Sequence, residues 1–349
     1  MKLLRVGPPG KEKPAILDSS GIPRDLSAHV ADIGGDCLLP KSIEKLRSLD
    51  PNRLPALNSN DRIGACVAGT RKFICIGLNF ADHAKEAGAA IPDEPIVFNK
   101  WTSCIVGPND DVIKPRESTK LDWEVELAIV IGKPGSYIDE SHAEDHIAGY
   151  CVVNDVSERH FQLECGGQWV KGKGCDTFGP VGPWLVTPDE VDDVLNLRMW
   201  LEVNGTRFQD GSSSTMIFKP NFIISYLSRF MSLQAGDIIS TGTPPGVGMG
   251  QQPPVYLNAG DTMKVGIDGL RFKPLFRPTE PAGAAAKLEH ERHVIITSKA
   301  RPGDCAVRYG LRRNQPQWTG KASRVGCDHG SGKSLRNRSV RYGSRLRSE

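Results

Sequence analysis

The sequence predicts a mostly β, α+β fold, and three observations carry that prediction. Short apolar or alternating runs recur between Gly, Pro, Asn and Asp breaks, as strands require. Glycine (37) and proline (25) are frequent among the 349 residues, which favours turns over a helical bundle. No regular βαβ alternation exists, which argues against a Rossmann or TIM architecture.

Taken in chain order, residues 1–65 read as a small N-terminal domain. Residues 2–6 and 15–17 are strand-like. Residues 42–49 have helical spacing, with Ile43, Leu46 and Leu49 on one face, and Asp50-Pro51-Asn52 ends the helix. Residues 66–270 form the predicted catalytic domain. Its strands are expected at 73–77, 126–131, 150–153, 197–203 and 237–241, and its helices near 81–89 and over 219–230, where Phe222, Ile223, Tyr226 and Leu227 share a face. Residues 271–349 lose apolar periodicity after residue 296. They are expected to be a basic, solvated and disordered tail, or one not native to the gene.

The net charge of +3 conceals a division. Residues 271–349 carry 18 Lys+Arg against 6 Asp+Glu, whereas residues 1–270 carry 26 against 35. The basic tail lacks interleaved aromatics, so nucleic acid is not an expected partner. No run of apolar residues is long enough to cross a membrane, and Met1–Pro9 breaks into charge and Gly/Pro too early for a secretory signal. Nine scattered cysteines without a Cys-x-x-Cys pair suit reduced thiols and a cytoplasmic location.

Four segments carry chemistry. In Asp122-Trp123-Glu124-Val125-Glu126-Leu127, the two glutamates lie on one face of a strand, at the mouth of an apolar run. Two such carboxylates repel unless a cation sits between them. If Asp155, thirty residues on in Asn154-Asp155-Val156-Ser157-Glu158-Arg159, converges on them, three oxygen ligands suit Mg²⁺ or Mn²⁺. In Gly77-Leu78-Asn79-Phe80-Ala81-Asp82-His83-Ala84-Lys85-Glu86, His83 and Glu86 are i, i+3 neighbours on a helix. There a carboxylate would fix the imidazole tautomer of a general base. A lysine in Gln168-Trp169-Val170-Lys171-Gly172-Lys173-Gly174 could steady an oxyanion. The turn Ser240-Thr241-Gly242-Thr243-Pro244-Pro245-Gly246 offers backbone N–H groups and hydroxyls to a carboxylate. His142 and His146 have i, i+4 spacing but lie in a polar stretch, so a solvated helix is expected rather than a zinc site. Cys165 and Cys175 are expected to be buried or inert thiols.

These segments, in this order, resemble the fumarylacetoacetate hydrolase superfamily over residues 1–270. The similarity is greatest to its bacterial branch named ureidoglycolate lyase or 2,4-diketo-3-deoxy-sugar-acid hydrolase. Residues 123–127, 149–159, 172–184 and 242–250 carry that likeness. The resemblance implies a mixed β-roll or barrel-like sandwich with a small N-terminal domain, usually a homodimer. It places a metal triad on Glu124, Glu126 and Asp155, and a His–Glu dyad on His83 and Glu86. It places a catalytic lysine on Lys173, and substrate contacts on Arg159, Gln162 and Thr243. Phe80 departs from the pattern, since relatives often carry Tyr there, and the likeness ends abruptly at Arg271.

The implied activity is metal-dependent hydrolysis of a C–C bond in a small 2-oxo-acid-like substrate, a 2,4-dioxo acid, using water activated by His83. A lyase or decarboxylase at the same site is the alternative within the enzyme class. A catalytically silent ligand-binding relative is the alternative outside it.

Overall fold

A computed structural model describes residues 1–270 and the backbone of 293–297. The expected tail, residues 271–349, lies outside the described residues apart from the strand His293–Thr297. Among the described residues no helix is long and apolar enough to cross a membrane.

The protein is a sheet-dominated α+β structure, as its composition predicts. Its largest sheet runs in the order Pro23–Asp25, Lys13–Leu17, Lys2–Val6, Gly179–Val186, Ile147–Asn154, Val125–Ile131, Ile238–Ser240, Phe73–Gly77 and Ile96–Lys100. The short strand Ile105–Val106 pairs with Gly179–Val186 off this path. Neighbours along the path are antiparallel except Ile238–Ser240 against Phe73–Gly77. The N-terminal strands therefore extend the central sheet by hydrogen bonding Lys2–Val6 to Gly179–Val186. A second sheet orders Thr206–Ser212, Arg198–Val203, Thr262–Ile267, His293–Thr297 and Val112–Ile113.

The middle strands explain their own sequences. Every residue of Val125–Ile131 and Ile147–Asn154 is buried, so both faces of these strands are covered. A strand covered on both faces needs a continuous apolar run rather than alternation, and 127–131 supplies one. Removing one such side chain, as in Leu127→Ala, should cost about 2–5 kcal/mol. The helices predicted over 42–49, 81–89 and 219–230 are present as Pro40–Arg47, Ala81–Glu86 and Pro220–Leu227. Each of the first and third begins with proline, whose missing N–H costs nothing in a first turn.

One local expectation is corrected. The stretch holding His142 and His146 is a 3₁₀ segment, Glu140–His146, with His146 buried rather than solvated. The His146 ring Nδ1 bonds the Lys133 carbonyl at 2.7 Å. A satisfied core histidine is the result.

Candidate active site

The apolar run of Val125–Ile131 drives that strand into the sheet and carries the two glutamates at its start inward. Glu124 and Glu126 are 5% and 2% exposed. The antiparallel partner strand aligns Asn154 with Val125 and Val153 with Glu126. Asp155 follows directly, fully buried, and its N–H donates to the Glu124 carbonyl at 2.9 Å. Asn154 Oδ1 accepts the Glu124 N–H at 3.1 Å. Strand register thus delivers the convergence on which the triad depended: ligand oxygens of Glu124, Glu126 and Asp155 lie within 4.8 Å of one another.

Cations surround two of the three. Lys173 Nζ stands between Glu124 Oε2 at 2.6 Å and Asp155 Oδ2 at 2.9 Å. Lys173 ends the short helix Val170–Lys173 and is 2% exposed. Arg159 donates to Glu124 Oε1 at 2.6 Å, to Asp122 Oδ2 at 2.8 Å and to Gln162 Oε1 at 3.1 Å. Asp122 in turn accepts the N–H groups of Gly248 at 2.6 Å and Met249 at 3.0 Å. The arginine is therefore gripped on both sides, and its orientation is set by the pairing of Ser157–Glu158 with Leu121–Asp122.

Glu126 is different. Its partners are neutral: the Ser240 hydroxyl, and the Gly242 N–H at 2.9 Å. Burial, together with the neighbouring Asp155 and Glu124 charges, pushes its carboxyl well above the usual range. At Glu124 burial also opposes ionisation, but Lys173 and Arg159 outweigh it and hold the carboxyl down to about 2. Burial disfavours charge on Lys173 too, yet Asp155 and Glu124 raise its ammonium above the usual value. The cluster therefore has one carboxylate more than its direct cationic partners stabilise. A hard all-oxygen donor set in which Glu126 has no direct cationic partner fits a divalent ion such as Mg²⁺ or Mn²⁺.

The helix Ala81–Glu86 brings His83 and Glu86 together, Nδ1 to Oε2, at 2.8 Å. The second Glu86 oxygen accepts the Gly246 N–H at 2.8 Å, so the turn after Ile238–Ser240 fixes the dyad. Gly246 has φ +102°, and a Cβ there would fall 2.0 Å from the Phe208 carbonyl oxygen, so no other residue fits.

Thr243 sits in the same turn, but its hydroxyl is already engaged. It donates to the Val125 carbonyl at 2.9 Å and accepts from Gln209 Nε2 at 2.7 Å. Cys165 and Cys175 are half-buried, not fully buried as one expectation had it. Burial raises the Cys175 thiol, which keeps it a poor nucleophile.

Two buried polar residues escaped the sequence reading. Gln209 joins the Val125 N–H, at 2.9 Å, to Thr243 and to the Pro244 carbonyl, at 2.8 Å. It lies on Thr206–Ser212, whose hairpin with Arg198–Val203 turns at Asn204-Gly205, both with positive φ. That Asn-Gly pair is a hairpin signal present in the sequence. Lys100, at the end of Ile96–Lys100, is 1% exposed and donates to Asp155 Oδ1 at 2.6 Å. No motif marks it.

Residues 72–272 match the fumarylacetoacetate hydrolase C-terminal family. A Burkholderia multivorans protein whose name goes no further than hydrolase is 61% identical over 271 residues, covering 77% of this chain and 96% of that protein. Among solved structures, fumarylacetoacetate hydrolase of Exiguobacterium antarcticum superposes with TM-score 0.69 and 32% identity, covering 86% of this chain and 100% of that one. The 5-carboxymethyl-2-hydroxymuconate delta-isomerase of Mycobacterium smegmatis gives TM-score 0.62 and 26% identity, over 86% of this chain and 100% of that one. The 2-hydroxyhepta-2,4-diene-1,7-dioate isomerase of Mycobacterium marinum gives 0.62 and 28%, over the same shares. With more than half its length matched, this chain belongs to the fumarylacetoacetate hydrolase family.

Proposed function

We propose that this protein is a divalent-metal-dependent hydrolase that cleaves a C–C bond of a 2,4-dioxo acid, an acylpyruvate or a diketo-deoxy sugar acid. The observation that carries the reading is the buried triad of Glu124, Glu126 and Asp155, with ligand oxygens within 4.8 Å, beside a buried lysine. Those three residues would hold Mg²⁺ or Mn²⁺. The ion would supply Lewis-acid polarisation and neutralise charge on the 2-oxo-acid end of the substrate.

His83 removes a proton from water, with Glu86 holding its Nδ1 at 2.8 Å so that Nε2 is the basic nitrogen. The water oxygen bonds to the C4 carbonyl carbon, and the negative charge that forms on the former C4 carbonyl oxygen is met by the Lys173 ammonium. The C3–C4 bond then breaks. Its electron pair goes to C3, which takes back the proton held by His83, so His83 is regenerated and the products are a carboxylic acid and a pyruvate-type 2-oxo acid. Arg159 and Gln162 orient the substrate carboxylate. Thr243 meets the substrate through its backbone N–H, because its hydroxyl proton is committed to the Val125 carbonyl.

The test is turnover of acylpyruvates and of ureidoglycolate with Mg²⁺ or Mn²⁺ and with chelator. Equal rates in the two conditions would rule the reading out. A lyase or decarboxylase acting without water attack is the second reading. It is favoured by the isomerases among the structural relatives, which share the architecture but whose named reactions add no water. Reaction in ¹⁸O-water separates the two: only the hydrolase places solvent oxygen in the acid product.

We also propose that the protein is a homodimer located in the cytoplasm. Its support is the edge strand Ile96–Lys100, where Val97 and the adjacent Trp101 are exposed. Light scattering giving a monomer mass would remove the dimer.

A further inference from the structure

Lys100 has the environment of a residue with one fixed task. Its ammonium donates to Asp155 Oδ1 at 2.6 Å, to the Val156 carbonyl at 3.1 Å and to the Lys173 carbonyl. An ammonium has three protons, so all are committed. The side chain is wholly shielded from solvent, and the Phe178 ring lies 6.0 Å from Nζ. Asp155 divides its oxygens between two lysines, with Lys100 on Oδ1 and Lys173 on Oδ2. Those lysines differ in kind. Lys173 also reaches Glu124, across the carboxylate cluster, whereas both other bonds of Lys100 go to backbone.

We propose that Lys100 is a positioning residue of the metal centre. It pins Asp155 through Oδ1, turns Oδ2 toward the cluster, and ties the backbone of Lys173 to the same point. The inference rests on the metal reading above and deepens it. A simple counter-charge makes the opposite prediction. A nearby ammonium competes with a metal ion for Asp155, so if charge were its whole role, removing it would tighten metal binding. If it positions the ligand, removing it loosens binding, because supporting partners of metal ligands are worth ~10–100-fold in affinity.

The experiment is an Mn²⁺ titration of the full chain followed by electron paramagnetic resonance, comparing the parent with Lys100→Met. The expected result is a dissociation constant raised ~10-fold or more. An unchanged or lower constant overturns the proposal. Adding Lys100→Met to Asp155→Asn should change the constant less than about twofold, since the two substitutions act through one carboxylate. A repeat of the full loss on that background means that Lys100 supports the fold rather than Asp155, and overturns it as well. If Lys100→Met does not fold, Lys100→Arg takes its place. That variant keeps the charge but presents a planar fork to three acceptors arranged for an ammonium. It should also bind Mn²⁺ more weakly, and parent-like binding overturns the proposal. A parent protein that binds no Mn²⁺ removes the metal reading itself, whereas a binding parent with an unaffected Lys100→Met removes only this inference.

Discussion

Two clusters of acids in this protein, one half-buried and one buried, meet their electrostatic demands in opposite ways. In the first, Arg5 grips Asp32 at 2.6 and 2.9 Å and Glu12 at 3.2 Å, while Arg62 reaches Glu12 at 2.9 Å and Asp110 at 2.6 Å. Each carboxylate there touches a guanidinium. In the second, Glu126 touches only neutral donors and faces two further carboxylates. An acid that is paired and hydrogen-bonded is accounted for within the chain, whereas one crowded by its own kind either gives up its charge or meets a cation from outside. The contrast is what points to Glu124, Glu126 and Asp155 as the proposed site among the described acids.

The largest effect expected from that contrast is at Glu124. Glu124→Ala removes a proposed metal ligand and leaves Lys173 and Arg159 buried with one partner fewer. Losing one oxyanion donor, as in Lys173→Met, should lower kcat about 10²–10³-fold. Glu124→Ala should exceed that and also abolish Mn²⁺ binding. Steady-state kinetics on both variants check the order, and a milder Glu124→Ala would break the assignment.

How much of this was legible beforehand differs by residue. The strand Val125–Ile131 announced itself through its apolar run, and burial on both faces is the reason. The triad was legible because Glu124 and Glu126 share a face and Asp155 ends a recognisable strand. Gly179–Val186 was not recognised, because Pro180 and Pro183 argue against a central strand. Its pairing with Ile147–Asn154 is irregular between Tyr150 and Val152, which is where the ladder can admit residues without an N–H. Lys100 was invisible for another reason. A lysine ending an edge strand is ordinarily solvated, and only the tertiary approach of Asp155 and the Lys173 carbonyl buries it.

A second prediction sharpens the contrast through metal linkage. An ion binding the folded protein alone should stabilise it by about 2.7 kcal/mol at a hundred times its dissociation constant. Mg²⁺ or Mn²⁺ should therefore raise the thermal midpoint by several degrees, and chelator should reverse the change. Glu126→Gln should abolish the shift, whereas Glu12→Gln should leave it intact. A shift surviving Glu126→Gln would place the ion elsewhere.

Smaller again is the effect at the paired cluster. Arg62→Met leaves Asp110 without its guanidinium and Glu12 with Arg5 alone. Breaking a fully buried pair costs about 3–5 kcal/mol. Arg62 and Asp110 are 26% and 22% exposed, so solvent screening should reduce the loss to roughly 1–3 kcal/mol. Urea unfolding measures it, and kcat at saturating substrate should stay within about twofold of the parent. A collapse of kcat in folded Arg62→Met would show that the two clusters are coupled.

The smallest effect is in pH dependence, and its sign follows from Glu12. Burial favours its neutral form, but Arg62 and Arg5 outweigh burial and hold its carboxyl below the usual 4.5. A group whose folded value lies below its unfolded value contributes stability that is complete above the unfolded value. That stability is lost as pH falls through the folded one. The parent should therefore lose stability from Glu12 only below about pH 4.5. Glu12→Gln should be less stable near neutrality yet lose less on acidification, so the two curves converge in acid. Chelator must be present throughout, so that pH-dependent binding of a divalent ion does not add its own acid dependence. Parallel curves for parent and Glu12→Gln between neutrality and pH 3 would mean that Glu12 does not titrate between the folded and unfolded states as its pairing requires, and the account of the paired cluster would fail.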